Sequence, residues 1–125
     1  MYFKAYRLAS LVIIYLIGGA TFKVVNEIRH SSIIGVSASY SNSSCNKEFG
    51  AEEIGKCGSS VDFPNTKDCG PKVTVTANGL GTPIYSCQIE SEIPAPDFKI
   101  RPNFTGPFLH CIITKYNHDY DNCRP

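Results

Sequence analysis

The stretch "GPFLHCIITKYNHDYDNC", Gly106 to Cys123, holds two of the chain's three histidines, two of its six cysteines and a lysine directly after an apolar run. A histidine offers proton transfer near neutral pH, and a lysine offers a fixed cation. His110 lies inside the run Leu109–Thr114 and reads as a surface or pocket-lining residue rather than a base. His118 stands with Asp119 and Asp121, but the ligand spacing of a calcium loop is absent, so a solvated turn is expected. Gly-x-Ser-x-Gly does not occur, and a hydrolase triad has no support. Neither Cys-x-x-Cys nor His-x-x-x-His occurs, so no zinc site and no other cofactor is expected.

The first twenty residues bear on the compartment. Lys4 and Arg7 precede the 13-residue run "LASLVIIYLIGGA", with Gly18 and Ala20 at the −3 and −1 positions of a secretory signal peptide. As a helix the run spans roughly 20 Å, short of a bilayer core of about 30 Å, so cleavage is favoured over a retained anchor. Cleavage after Ala20 leaves 105 residues, a single domain's worth, with ten basic side chains against eleven acidic ones. Proteins that hold nucleic acid by its phosphates usually show a basic excess, which these totals lack.

Cys45, Cys57, Cys69, Cys87, Cys111 and Cys123 all follow the leader. An even count in that context predicts three disulfides. Asn42-Ser43-Ser44 and Asn103-Phe104-Thr105 are N-glycosylation acceptors in a eukaryotic secretory pathway.

The elements that must position these residues are read from periodicity. Residues 21–39 form an N-terminal arm without cysteine; Thr21–Ala38 in it fits an extra strand, a short helix or a flexible segment. The domain proper is placed at 40–125. In it "NKEFGAEEIGKC" is the helical candidate, with Phe49, Ile54 and Cys57 on one face, weakened by Gly50 and Gly55. Beyond it "KVTVTA" and "DFKIRP" alternate, "TPIYSCQIE" is β-branched and aromatic, and "FLHCIIT" is nearly continuous apolar, as a central strand would be. Turn residues at Asn78-Gly79, Pro94, Pro96 and Gly106-Pro107 separate them. The expected fold class is α+β, one short helix packed on an antiparallel sheet.

This order of elements, with a cysteine closing the last strand, resembles that of the fungal guanyl-specific ribonucleases over about Tyr40 to Cys123. The family's Tyr-Pro-His is matched by Phe63-Pro64-Asn65, and its Tyr-Glu-x-Pro-Ile by Tyr85-Ser86-Cys87-Gln88-Ile89. Its Asp-Arg is matched by Asp97-Phe98, and its Ile-Thr-His by Ile113-Thr114-Lys115. The resemblance implies a ribonuclease-like scaffold whose site is lost: Asn65 replaces a histidine, Ser86 the base, Phe98 the arginine and Lys115 the general acid. A lysine of ordinary pKa, about 10.4, is a poor proton donor at neutral pH. Each acid or base role is worth about 10²–10⁴ in rate, so no useful catalysis is expected.

Small, secreted, disulfide-bonded and without catalytic residues, the chain is similar to the ribonuclease-like effectors of powdery mildew fungi. That resemblance implies a monomeric virulence or avirulence effector that binds a host protein, an immune receptor included, with RNA as a weaker candidate. It implies no membrane partner after cleavage, and an extracellular or host-translocated location. On the same reading Cys45 pairs with Cys123, Cys57 with Cys87, and Cys69 with Cys111. Recognition is expected on the loops Phe63–Lys72, Asn78–Pro83 and Asp119–Asn122. The alternatives are an active secreted ribonuclease and a disulfide-rich toxin or inhibitor of unrelated fold.

Overall fold

A computed structural model describes residues 20–28, 33–79, 85–103, 110–117 and 123. Among them eight strands form two four-stranded sheets. These are β1 (Thr21–Asn26), β2 (Ile33–Tyr40), β3 (Lys47–Gly50), β4 (Ser60–Pro64), β5 (Lys72–Gly79), β6 (Tyr85–Glu92), β7 (Phe98–Asn103) and β8 (His110–Lys115). One turn of α-helix, α1 (Ala51–Ile54), follows β3 directly. The first sheet has the order β4-β1-β7-β8 and the second β3-β2-β5-β6. All pairings are antiparallel except β1 with β7, which run parallel.

The α+β arrangement of one helix on a single antiparallel sheet is therefore corrected to a mostly β fold of two sheets. The helical candidate divides at Gly50. Its first part pairs with β2, Phe49 opposite Val36, and only Ala51–Ile54 stays helical. Glu53 accepts from the Gly50 backbone N–H at 2.8 Å, and Gly55 closes the turn on the Ala51 carbonyl. Four residues cannot cover a sheet. Instead α1 plugs one end of the molecule, with Ile54 fully buried and its carbonyl accepting from Asn26 Nδ2 at 2.8 Å.

Residues 21–39 supply a strand to each sheet. β1 alternates, with Phe22, Val24 and Asn26 buried, and it sits between β4 and β7. β2 places Val36, Ala38 and Tyr40 inward opposite Ala77, Val75 and Val73 of β5. The inner faces of both sheets meet in one core of Phe22, Val24, Phe63, Phe98 and Ile100 against Val36, Val73 and Val75. Phe63 is its aromatic hub: its ring stacks on Phe22 at 5.6 Å and meets the edge of Phe49, from the other sheet, at 5.3 Å. Phe22 also meets Phe98 edge-on at 5.8 Å.

None of the three expected cystine pairings forms. The bonds are Cys45–Cys69, Cys57–Cys123 and Cys87–Cys111. Cys45 and Cys69 each end a short 3-10 turn, and these turns are tied by Asn42 N–H to Cys69 O at 2.9 Å. Gly70, at φ 108°, turns the chain out of the second of them so close to Ser41 that a Cβ would fall 2.5 Å from that side chain. Cys57 follows α1, where Gly58 N–H bonds the Asn26 carbonyl at 2.7 Å, so Cys123 is bound at the far end of β1. Cys87 and Cys111 both point into the space between two sheets, and their bond joins β6 to β8. Without Cys45–Cys123, and with two sheets rather than one, the ribonuclease-like scaffold is set aside.

Candidate functional site

Of the five positions matched to the family's site, Phe98 and Lys115 are register partners on β7 and β8, Phe63 lies on β4 of the same sheet with Asn65 directly after that strand, and Ser86 belongs to the other sheet. Phe63 and Phe98 are core residues, 0% and 2% exposed. Asn65 is structural: Nδ2 donates to Ala95 O at 2.9 Å, and Oδ1 accepts from Ala95 N–H at 2.7 Å. Ser86 is exposed on the outer side of β6, in the second sheet, while Lys115 is exposed at the end of β8, in the first. Phe63 and Phe98 are thus closed into the core, and Ser86 stands apart from the other four.

Of the glycosylation candidates, Asn42 is exposed and caps the 3-10 turn Ser43–Cys45. Its Oδ1 accepts from Ser44 N–H and Oγ, and its Nδ2 donates to Asp68 O at 3.2 Å. Asn103 is half-buried at the end of β7. Asp119–Asn122, His118 and most of Asn78–Pro83 lie outside the described residues, as does the leader up to residue 19.

A different set of groups comes together on the outer face of the first sheet. The strands carry it by simple alternation. On β7, Phe98 and Ile100 point inward, so Lys99 and Arg101 point outward; on β8, Cys111 and Ile113 point inward, so His110, Ile112 and Thr114 point outward. The register sets Val25 beside Lys99 and Lys99 beside Thr114, with Arg101 beside Ile112 and Asn103 beside His110. Glu27, one residue past β1, continues this ladder through its N–H to Ile100 O at 2.9 Å and falls next to Arg101.

The face combines opposite extremes of exposure. Glu27 is 2% exposed, and among the described residues both its carboxylate oxygens lack a hydrogen-bond partner, as does the buried hydroxyl of Thr114. Lys99 is 9% exposed, with its ammonium 6.0 Å from the centre of the Tyr116 ring. Next to these, Arg101 is exposed and Ile112 is 42% exposed. Buried polar groups in folded proteins are nearly always paired, so two unpaired ones on one face call for a role beyond folding. By contrast Asn26, on the inner side of β1, is fully paired between Ile54 O and Ile28 N–H.

The outer face of the second sheet is of another kind. Ser37 stands opposite Thr76 and Thr76 opposite Gln88, while Ser39 faces Thr74 and Thr74 faces Glu90. It mixes short neutral side chains with exposed charges: Glu48 beside Ser37, Glu92 opposite Lys72, and Glu90 opposite Thr74 and ion-paired with Lys72 at 3.2 Å. A shallow groove of about 610 Å³ lies where β2 meets β3, lined by Ile34, Ser37, Glu48, Phe49 and Asn78. Another, of about 450 Å³, is lined by Lys67, Pro71, Lys72, Glu92 and Ile93.

Among the described residues, no group of three or more His, Cys, Asp or Glu side chains is placed to hold a metal ion, and no helix is long and apolar enough to cross a membrane. Comparison of the chain with protein-family models, with curated proteins and with solved structures finds no match. The face of β1, β7 and β8 escaped the motif search because no motif defines it. A signal was nonetheless present: "FKIRPN" and "HCIITK" together hold three cations, a histidine and no carboxylate.

Proposed function

We propose that this chain is a secreted effector-type protein that works by binding a host protein through the outer face of β1, β7 and β8, and not by catalysis. The observation that carries the reading is the make-up of that face. The unpaired Glu27 and Thr114, the nearly buried Lys99, and the exposed Arg101 and Ile112 occupy neighbouring positions on three adjacent strands. A rigid sheet with an apolar residue among charges is suited to surface recognition, in which a few central residues dominate. The leader pattern and three disulfides support the secretory route. The burial of Phe98 in the core, the structural pairing of Asn65 with Ala95 and the separation of Ser86 from the rest favour binding over ribonuclease chemistry.

The test compares three forms of the oxidised protein secreted from cells expressing the full chain. These are the unaltered protein, Ile112→Asp on the first sheet and Thr76→Glu on the second. Each is incubated with extracellular fluid and cell extract of the host tissue, cross-linked, and its partners identified. A protein partner that is lost with Ile112→Asp and kept with Thr76→Glu supports the reading. A partner kept by Ile112→Asp, or hydrolysis of RNA by the purified protein, overturns it.

A further inference from the structure

The structure separates the two N-glycosylation acceptors, Asn42-Ser43-Ser44 and Asn103-Phe104-Thr105. A linked oligosaccharide is bulky and stays in solvent, so its asparagine needs exposure and a hydrogen on Nδ2 to give up. Asn42 has both. It lies two residues beyond β2, in a turn whose residues Ser41 to Ser44 are all exposed. Among the described residues, one of its two Nδ2 hydrogens is engaged, by Asp68 O at 3.2 Å. Its Oδ1 accepts from Ser44 N–H at 3.2 Å and from Ser44 Oγ at 2.8 Å, so the hydroxyl that the acceptor pattern requires already touches the carboxamide. Replacing the second Nδ2 hydrogen by a sugar leaves all three bonds in place. Asn103 differs. It is half-buried at the end of β7 and stands opposite His110, on the outer side of the first sheet.

We infer that Asn42 carries an N-linked oligosaccharide and that Asn103 does not. The donor class is an oligosaccharide linked to a lipid through pyrophosphate. Asn42 Nδ2 bonds to C1 of the first sugar, the bond from C1 to the pyrophosphate oxygen breaks, and the lipid pyrophosphate leaves with that electron pair. The displaced Nδ2 proton passes to a base of the transferring enzyme. The inference rests on the secretory route of the function proposed above and adds a modification to it. On the folded molecule the sugar stands beside the turns Ser43–Cys45 and Lys67–Cys69, which the Cys45–Cys69 bond ties together. These turns lead into β3 and β5 of the second sheet, so the outer face of β1, β7 and β8 stays open to a partner. A sugar on Asn103 would instead rise from that face, two residues from Arg101 on the same strand.

Expression in a eukaryotic cell tests this, with the full chain and with a second form in which an established cleavable leader replaces residues 1–20. The product is treated with peptide N-glycosidase, which turns a glycosylated asparagine into aspartate, and its peptides are mapped by mass. The protein carries one oligosaccharide, and it maps to Asn42. Asn42→Gln and Ser44→Ala each abolish it, Ser44→Thr keeps it, and Asn103→Gln changes nothing. Ser44→Ala leaves the Asn42 side chain in place, so its loss of sugar does not arise from loss of the capping carboxamide. Product of the leader-replaced form without sugar on Asn42, or with sugar on Asn103, overturns the inference. The two proposals fail separately. A chain that leaves the cell only with the replaced leader, yet carries sugar on Asn42, keeps this inference and removes the secretory reading. A chain that its own leader exports without sugar on Asn42 removes this inference alone.

Discussion

The first sheet presents Lys99, Arg101, Ile112 and a buried, unpaired Glu27 on its outer side, whereas the second presents Ser37, Ser39, Thr74, Thr76 and Gln88 with the exposed Glu48, Lys72, Glu90 and Glu92 among them. Both sheets use the same rule inward, apolar residues at every second position, and they share one core. The difference is all on the solvent side. A row of serine and threonine satisfies itself with water and costs the fold nothing. A carboxylate that is 2% exposed without a donor costs stability, and the first sheet carries it on the face that also holds the exposed Ile112. On the function proposed above, the second sheet is the supporting half of the molecule and the first the working half.

The largest effect expected comes from breaking what the halves share. Phe63 belongs to β4 of the first sheet, yet its ring contacts Phe49 of the second as well as Phe22. Phe63→Ala removes a fully buried ring and leaves a cavity between the sheets, at a cost of about 3–5 kcal/mol. Urea unfolding of the oxidised protein measures it. A loss below about 1 kcal/mol would show that the two sheets do not share this core.

Glu27→Gln sharpens the contrast between the faces. Replacing a buried, unpaired carboxylate by a neutral amide removes the cost of burying a charge. The variant should be more stable than the unaltered protein by about 1–3 kcal/mol at neutral pH. The matching change on the other face, Thr76→Val, should stay within about 0.5 kcal/mol of neutral. If Glu27→Gln destabilises instead, the carboxylate is serving the fold, and the assignment of the first sheet as the working half loses its main support.

Half of each sheet could be read from the chain: β5 and β6 of the second and β7 and β8 of the first, but not β2, β3, β1 or β4. "KVTVTA" and "TPIYSCQIE" supply neighbours that pair in β5 and β6, so their alternation was enough, although Asn78 and Gly79, read as a turn, are paired residues of β5. β7 and β8 were legible for the same reason, as sequence neighbours that pair antiparallel. β1 was not, because "FKVVN" finds its partners far along the chain: Phe63 opposite Phe22, and Phe98 beside Val24 across a parallel ladder. No local pattern encodes such pairings, and with β1 misplaced a second sheet was not foreseen. The expected cystine pairs came with the one-sheet scaffold that the resemblance implied, and that scaffold has no place for a bond between two sheets such as Cys87–Cys111. The candidate site was hidden in the same way. Glu27 lies only two residues from the predicted arm's "KVV", but its proximity to Arg101 exists only once β1 lies beside β7.

The seam between the sheets offers the smallest and most specific test. Tyr40, on β2 of the second sheet, donates its hydroxyl to the Pro64 carbonyl at the end of β4 in the first, while its own N–H bonds Asn46 Oδ1 at 2.7 Å. Burial pushes the phenol up from 10.0 to about 12, because the phenolate would leave water for a largely apolar site. The folded chain therefore holds this proton more tightly than the unfolded chain does. The stability it confers is complete below pH 10, where both states are protonated, and it falls as pH rises through 10 towards 12. Tyr40→Phe loses the hydrogen bond, at about 1 kcal/mol near neutral pH. It also loses the alkaline dependence, so the gap between the two proteins should narrow above pH 10. Ultraviolet titration supplies the direct observation: one tyrosine of the folded protein ionises late, and in Tyr40→Phe that late step is missing. If every tyrosine of the folded protein ionises together near pH 10, Tyr40 is open to water, and the two sheets are not closed on each other at β2 and β4.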